Sequence, residues 1–202
     1  KYGPGDVKYK DLDGNGEITY GEQTLEDHGD LKRIGNTLPN FEYGFSVALT
    51  YKDFDFSTFF QGIGSRDVWA VGQTGIPGFM PGEGWLEHQM DYWTPENKNA
   101  SHPRLTWDDP NRNTRAESDR YLENGSYLRL RSVQLGYTFP QTWFKGAIQH
   151  ARVYINAENL FTITSYSGYS PDVNADNANY RGFDNFIYPT NRTFMLGLNV
   201  TF

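Results

Sequence analysis

The sequence predicts an all-β chain whose strands form part of an antiparallel transmembrane barrel. Apolar side chains alternate with small or polar ones in several stretches of about ten residues, which is the pattern of strands with one apolar face. The 202-residue chain is polar on average, with a mean hydropathy of -0.69, yet it holds 14 Tyr, 14 Phe and 5 Trp. It has no apolar run near the roughly 18 residues that a membrane-spanning helix requires. Barrel strands reconcile these observations, because half of each strand and all of each long loop face water.

The stretch 192–202 shows the alternation most clearly and ends the sequence on an aromatic residue. A soluble sheet would give the same alternation over a single strand. The recurrence of the pattern upstream, with many aromatic residues, favours a membrane barrel instead. One face of this strand carries Phe194, Leu196, Leu198, Val200 and Phe202, and the other carries Thr193, Met195, Gly197, Asn199 and Thr201.

A hairpin is predicted at 41–61, where two alternating runs are separated by a short polar break. The first run is 41–51, the break is Lys52-Asp53, and the second run is 54–61. Two alternating runs joined by two or three residues are typical of a β-hairpin. The small and polar side chains of the opposite face would line a wet lumen or contact a plug.

Two further strands are predicted at 121–139 and 151–161, joined by a connector at 140–150. In the first of them the apolar parity slips by one residue between Leu130 and Val133. Such a slip indicates a β-bulge or the rim of the membrane zone. Arg129 and Arg131 would face the lumen or lie above the lipid, because charge on the lipid face is costly.

Two long polar excursions interrupt the strands, at 62–118 and 162–189. Long irregular loops are usually functional or disordered, and the high aromatic content of the first favours order. A short helix is expected at 84–92. Glu83, Glu87, His88 and Asp91 could form an acid–base or metal cluster, but a solvated helix face is the simpler explanation. The candidate contacts for a cargo molecule are the four loop tryptophans, Trp69, Trp85, Trp93 and Trp107.

Residues 11–22 match the twelve-residue calcium loop of an EF-hand. Glycine at position 16 permits the sharp turn, but no flanking helices are apparent, so the loop would act as a structural clip rather than a sensor. An Asp/Asn/Gly turn without metal is the plainer alternative. The expected ligands are Asp11, Asp13, Asn15, the Glu17 carbonyl, Thr19 or its water, and a bidentate Glu22, with Glu26, Asp27 and Asp30 in reserve.

Composition excludes several classes of protein. Lys and Arg number 18 against 25 Asp and Glu, giving a net charge of -7, which argues against a nucleic-acid partner. The absence of Cys excludes a disulfide framework and a thiolate metal site. The sequence opens at Lys1 without a signal peptide, so we expect a fragment of a longer protein.

Taken together, these segments resemble the C-terminal part of the SusC/RagA-type TonB-dependent outer-membrane transporters of Bacteroidetes. Ser170 departs from the acidic residue that the family often has before the proline of the second loop. The segments that carry the resemblance are G-D-V-K-Y-K-D-L-D-G-N-G-E-I-T (5–19), R-I-G-N-T-L-P-N-F-E-Y-G (33–44), Y-K-D-F-D-F-S-T-F-F-Q-G (51–62), Y-L-R-L-R-S-V-Q-L-G-Y-T-F-P (127–140), N-A-E-N-L-F-T-I-T-S-Y-S-G-Y-S-P-D (156–172) and the terminal Phe202.

The resemblance implies a large barrel in the bacterial outer membrane, with a plug in its lumen and no enzymatic activity. It also implies a SusD-like surface lipoprotein as a lid, energy from the TonB complex, and oligosaccharides or peptides as cargo. About five strands cannot close a barrel, so they must pair with the remaining N-terminal barrel and plug of the same protein. We therefore divide the chain into an extracellular region, 1–38, with the calcium loop, and the strands with their outer loops, 39–202.

The resemblance implies that the terminal Phe202 lies at the periplasmic rim of the barrel, and this position determines the direction of every strand. The breaks at 52–53 and 140–150 are then periplasmic, and the loops 62–118 and 162–189 are extracellular. An odd strand count places Lys1 in an outer loop, so we expect a nick or a fragment boundary there.

Two other classes of protein stay open at this point. A calcium-stabilised glycan-binding or adhesion β-sandwich would share the alternation and the Trp-rich loops, but it would dissolve without detergent. An outer-membrane hydrolase would need a catalytic constellation, and none is convincing. His28, His88, His102 and His150 lie in loops or connectors without partner spacing.

Overall fold

Seven β-strands and three short 3₁₀ helices make up the regular structure of the residues that the computed structural model describes, namely 2–70, 85–107, 109–113, 118–173, 180–184 and 188–202. The strands are β1 (Phe41–Tyr51), β2 (Phe54–Gly64), β3 (Asp67–Trp69), β4 (Leu122–Asn124), β5 (Tyr127–Thr138), β6 (His150–Thr164) and β7 (Thr193–Thr201), and the 3₁₀ helices span Glu87–Met90, Asp119–Tyr121 and Gln141–Phe144. The prediction of an all-β chain with about five long antiparallel strands is confirmed.

The five long strands form one sheet in the order β1-β2-β5-β6-β7, and every neighbouring pair is antiparallel. The hairpin β1-β2 turns at Lys52, which has a positive φ of 52°. β3 and β4 form a separate two-stranded sheet. Within the described residues β1 and β7 each have a strand partner on one side only, so both edges of the five-stranded sheet are open.

One face of this sheet is apolar across all five strands. The register aligns Leu49 of β1 with Phe56 of β2, Leu135 of β5, Ile155 of β6 and Leu196 of β7. Leu49 is 61% exposed and Leu196 is 77% exposed. The alternation predicted from the sequence therefore produces a continuous apolar surface that faces outward and is not a packed core.

A β-bulge interrupts the register where the sequence shows its parity slip. On β5, Arg131 has no partner across from it on β2, and it faces two residues of β6, Asn159 and Leu160. Asn159 adopts a positive φ of 51°, a conformation that Asn tolerates better than most residues. The Arg131 guanidinium donates to Asn159 Oδ1 at 3.0 Å, and the Asn159 amide donates to the carbonyl of Asn191 at 3.0 Å. The bulge realigns the apolar side chains on both sides of it.

The structure corrects several predicted boundaries. The strand expected at 121–139 is divided into β4 and β5 by Gly125 and Ser126. β2 and β6 each continue three residues further than expected, to Gly64 and Thr164, so the first loop begins later than residue 62. The helix expected at 84–92 is the short 3₁₀ turn Glu87–Met90, and residue 84 lies outside the described residues.

The chain divides into two compact units. One consists of Lys1–Gly35, Trp69–Leu122 and Asp184–Phe186, and the other consists of Asn36–Val68, Glu123–Phe183 and Ile187–Phe202. The second unit contains the five-stranded sheet. Among the described residues, no helix has the length and apolar character needed to cross a bilayer.

Candidate functional site

Two carboxylates of the calcium-like loop, Asp11 and Asp13, lie close together, and the reserve ligand Asp30 joins them. Ligand oxygens of Asp11, Asp13 and Asp30 lie within 4.8 Å of one another. Among the described residues this cluster does not include Glu22, which the spacing assigns as the closing carboxylate, and the reserve ligand Asp30 lies in the cluster instead.

Backbone N–H groups fix these carboxylates in place. Asp11 accepts hydrogen bonds from the N–H groups of Gly14 and Gly16 at 2.6 and 2.9 Å. Asp30 accepts from the N–H groups of Leu12 and Thr19 at 2.6 and 2.7 Å. These two bonds, of which the bond from Leu12 has the larger effect, hold the pKa of the Asp30 carboxyl below its ordinary value. Asp30 is therefore ionised at neutral pH.

The donor set fits a hard divalent cation. Three carboxylates offer only oxygen atoms, which are the ligands that Ca²⁺ takes in flexible geometry. Asn15 and Asp13 are tied by bonds of 2.9 Å from the Asn15 backbone and amide, and the Asn15 side-chain oxygen accepts from the Glu17 N–H at 2.7 Å. The loop is therefore shaped by its own backbone, as an Asp/Asn/Gly turn also is.

A second carboxylate, Asp6, joins distant parts of the same unit, and sequence reasoning did not identify it. Arg104 donates to both of its oxygens at 2.6 and 2.7 Å. The amides of Asn113 and Asn111 donate to it at 2.7 and 3.0 Å. The hydrogen bonds from Arg104, followed by those from Asn113 and the Gly3 N–H, hold the pKa of the Asp6 carboxyl far below its ordinary value, although burial acts in the opposite direction. The ion pair fastens the segment before the calcium-like loop to residues 104–113.

A groove of about 1050 Å³ lies within this first unit. Trp69 and Trp93 line it, whereas Trp85 and Trp107 do not. Trp85 packs edge-on against Tyr92, and Trp107 is 97% exposed. Of the four tryptophans predicted as cargo contacts, the structure brings two to one groove.

Five cationic side chains also line the groove, and sequence reasoning did not single them out because they are scattered along the chain. Arg112 donates to the Tyr20 hydroxyl at 2.9 Å and lies over its ring, and Arg120 donates to the carbonyl of Ser101. The five are Lys8, Lys10, Lys32, Arg112 and Arg120.

Asp91, one of the two acidic residues of the expected short helix, closes a turn. It accepts hydrogen bonds from the Ser101 N–H at 2.9 Å and from the Asn97 amide at 2.8 Å. These bonds hold the pKa of Asp91 below its ordinary value. Glu83, the first member of the cluster considered there, lies outside the described residues.

In the second unit, Arg129 organises the start of the second predicted loop. Its buried guanidinium reaches Asp172 at 3.2 Å and Ser170 at 3.1 Å. It also donates to the hydroxyls of Thr162 and Thr190 at 2.9 and 3.1 Å. Arg129 therefore connects the start of β5 to Thr162 of β6, to the loop itself and to Thr190 after the loop.

Arg66 holds the same S-P-D segment from another side. Its guanidinium donates to the carbonyls of Pro171 and Val173 at 2.6 and 3.2 Å, and burial lowers its pKa. Because two buried arginines hold residues 170–173, this part of the loop has a defined position at the end of the sheet. Residues 174–179 and 185–187 of the loop lie outside the described residues.

Comparison with known proteins finds relatives of one kind. No protein-family model matches the chain. It is 34% identical over 206 residues to "TonB-dependent receptor P3" of Formosa agariphila, covering 98% of this chain and 19% of that protein. It is 37% identical over 89 residues to "TonB-dependent receptor SusC" of Bacteroides thetaiotaomicron, covering 42% of this chain and 8% of that protein. The chain spans about a fifth of the length of the first curated relatives that it matches.

Solved structures give the same result. The structure of "the RagAB peptide importer in the 'closed-closed' state" matches with a TM-score of 0.67 and 25% identity, over 100% of this chain and 21% of that one. The 'open-open' state matches with a TM-score of 0.64 and 26% identity, over 82% and 17%.

Proposed function

The chain belongs to the TonB-dependent receptors of the SusC/RagA type, and we propose that it forms part of an outer-membrane importer for oligosaccharides or peptides. The observation that carries this proposal is the five-stranded antiparallel sheet, with one continuous, exposed apolar face and two open edges. In water such a face would aggregate, whereas lipid tails would solvate it.

The open edges support the assignment of the missing partners. The backbone groups along the outer edges of β1 and β7 have no strand partner in the described residues, and unpaired groups of this kind are costly in a bilayer. The remaining N-terminal barrel and plug of the same protein would pair with them. A SusD-like surface lipoprotein, as the lid, and the TonB complex, as the energy source, would complete the proposed importer. Both would bind the whole receptor.

The polar face of the sheet suits a lumen and not a lipid surface. Arg152 and Asp55 form an ion pair there at 2.5 Å, and Tyr154 covers Gly197. A lumen filled with water or a plug accommodates such groups, and lipid does not. The role proposed for the chain is transport and not catalysis.

The calcium-like loop is proposed as a structural Ca²⁺ site in an extracellular segment. Asp11, Asp13 and Asp30 would supply carboxylates, Asn15 and the Glu17 carbonyl would supply further oxygens, and Thr19 would contribute directly or through water. A bound ion would neutralise three neighbouring carboxylates. Its role would be to hold the segment that follows Asp6 in one conformation.

The outer loops are proposed to lie on the extracellular side, where barrel loops are long. Trp69 and Trp93, which share the groove, remain the candidate cargo contacts. The alternative, a glycan-binding β-sandwich, requires a second sheet packed on the apolar face, and the described residues form no second five-stranded layer.

Cell fractionation and growth test the importer. The full receptor should appear in the outer-membrane fraction and leave it only with detergent. Deletion of its gene should abolish growth on one class of cargo from a panel of oligosaccharides and peptides, and a plasmid copy should restore it. A receptor that dissolves without detergent, or a deletion strain that grows on every cargo of the panel, would contradict the proposal.

A further inference from the structure

The groove of the first unit combines a high positive charge with apolar walls. Its five cations are Lys8, Lys10, Lys32, Arg112 and Arg120. The chain as a whole carries a net charge of -7, so a groove rich in cations departs from the average of the molecule. Clefts lined by charge of one sign concentrate ligands of the opposite sign.

These cations are not neutralised by carboxylates. Over the part of the chain that the structure describes, the ion pairs within 4.0 Å are Arg104–Asp6, Arg129–Asp172 and Arg152–Asp55, and none involves a cation of the groove. Of the three carboxylates along the groove, Asp6 is paired with Arg104, which is not one of the five cations, whereas Asp30 and Asp119 keep their negative charges. The five cations therefore outnumber the two carboxylates that have no cationic partner, and the groove keeps an excess of positive charge.

Two of the cations are held in place and three are free to adapt. Arg112 is fixed by its bond to the Tyr20 hydroxyl, and Arg120 lies 5.9 Å from the centre of the Tyr121 ring. Lys8, Lys10 and Lys32 are exposed. Fixed guanidinium groups suit planar carboxylates, and mobile ammonium groups adapt to charges at variable spacing.

Aliphatic side chains line the groove together with the charges. Leu31 and Ile34 are both more than a third exposed while they line the groove beside Lys32. A ligand that matches both features carries carboxylates and apolar side chains along one chain. A peptide with alternating acidic and apolar residues has this chemistry.

We propose that this groove binds acidic peptides, with Lys8, Lys10, Lys32, Arg112 and Arg120 receiving the carboxylates and Leu31 and Ile34 contacting the apolar side chains. The inference rests on the proposed importer function and names the class of cargo that this site accepts. Affinity is set by the charge of the peptide and falls with salt, because exposed charges are screened over about 10 Å at 0.1 M ionic strength.

The test uses the full receptor in detergent and isothermal titration calorimetry. The probes are a peptide in which Glu alternates with Leu, its counterpart with Gln in place of Glu, and an oligogalacturonate as an acidic sugar. The Glu peptide should bind about tenfold more tightly than the Gln peptide, from several weak exposed ion pairs acting together. The double variant Lys8→Glu/Lys10→Glu, and separately Lys32→Glu, should remove most of that difference.

Lys98→Glu is the matched control, because Lys98 is an exposed lysine of the same unit that does not line the groove. It should bind the Glu peptide as the unmodified receptor does. The inference would be overturned if the two peptides bound with equal affinity, or if the control variant weakened binding as much as the groove variants do. Binding of the oligogalacturonate in place of the peptide would overturn it as well. Growth of the same variant strains on the cargo panel measures the importer function separately. A receptor that supports growth but binds the two peptides equally would therefore be an importer whose groove does not select acidic peptides.

Discussion

Arg152 and Asp55 lie on β6 and β2, and they form an ion pair that passes over Gly136 of the intervening strand β5. The guanidinium donates to both carboxylate oxygens, through Nε at 2.8 Å and through a terminal nitrogen at 2.5 Å. A Cβ atom at Gly136 would collide with both partners. The glycine therefore provides the space for a charge pair that joins three strands on the polar face.

Replacing this glycine should break the ion pair and destabilise the receptor. We expect Gly136→Val to lower its unfolding free energy by about 1–3 kcal/mol, the usual cost of overpacking. Thermal unfolding in detergent measures the effect. The variant Asp55→Asn should cost less, about 1 kcal/mol, because the pair is partly exposed. A Gly136→Val receptor as stable as the unmodified one would show that the strand does not need this space.

The calcium-like loop offers a direct comparison between two carboxylates. Asp30 lies in the cluster and Glu22 does not, so Asp30→Asn should weaken Ca²⁺ binding at least tenfold more than Glu22→Gln. Titration of the chelator-treated receptor with Ca²⁺ measures both affinities, which we expect near the millimolar to submillimolar range of extracellular calcium modules. If Glu22→Gln had the larger effect, the ion would be closed by the glutamate, as in an EF-hand.

Acid should loosen the Asp6 network only at very low pH. The pKa of Asp6 lies far below the ordinary aspartate value of about 3.9, so the stability it contributes is fully present above that value. This contribution is lost as the pH falls through the lower pKa of the folded state. After division by the intrinsic exchange rate at each pH, the protection of residues 2–35 against hydrogen exchange should therefore change little between pH 7 and 4.5.

The variant Asp6→Asn should lower that protection at every pH in the range, because Arg104 loses its charged partner. Asp53→Asn, in the hairpin turn of the other unit, is the control and should leave it unchanged. A marked loss of protection of residues 2–35 in the unmodified receptor at pH 4.5 would contradict the pKa argument.

Arg129 should hold the second loop more strongly than Arg131 does. Arg129→Lys removes the branched donor that reaches Ser170, Asp172 and two threonines, and we expect faster hydrogen exchange at residues 165–173. Arg131→Lys affects the bulge contact with Asn159 and should leave that segment protected. Equal protection in the two variants would show that Arg66 alone holds the loop.

The two faces of β7 should respond differently to charge. Leu196→Arg places a charge on the apolar face and should cost about 2–4 kcal/mol at the middle of the bilayer. Met195→Arg, one residue away on the opposite face, should be tolerated. The yield of folded receptor in the outer membrane measures both. A poor yield for Met195→Arg with a normal yield for Leu196→Arg would reverse the assignment of the faces.

Local pattern determined which parts of the fold were predictable. Period-two alternation located the long strands, and the parity slip between Leu130 and Val133 located the bulge. The break at Gly125 and Ser126 was missed, because the residues before it also suit a strand. The calcium-like loop was recognisable because its ligands are close in sequence, although Asp30 was only a reserve ligand.

The contacts that shape the first unit were not predictable by the same means. Asp6 and Arg104 are 98 residues apart, and Arg112 and Tyr20 are 92 residues apart. No periodicity connects such pairs, and exposed lysines in separate loops look like ordinary solvated charges. Only the folded chain shows that five cations share one groove and that Trp85 and Trp107 do not belong to it.

The bulge makes the lengths of three neighbouring strands interdependent. Between the same two rows of paired residues, the chain takes two steps on β2 from Thr58 to Phe60, three on β5 and four on β6. Deleting Arg131 would leave two steps on β5, as on β2, so Leu128, Leu130 and Val133 would still share the apolar side, but β6 would still take four steps. During evolution, we therefore expect the loss of Arg131 to be accompanied by the loss of two residues in β6, which would restore equal lengths on all three strands.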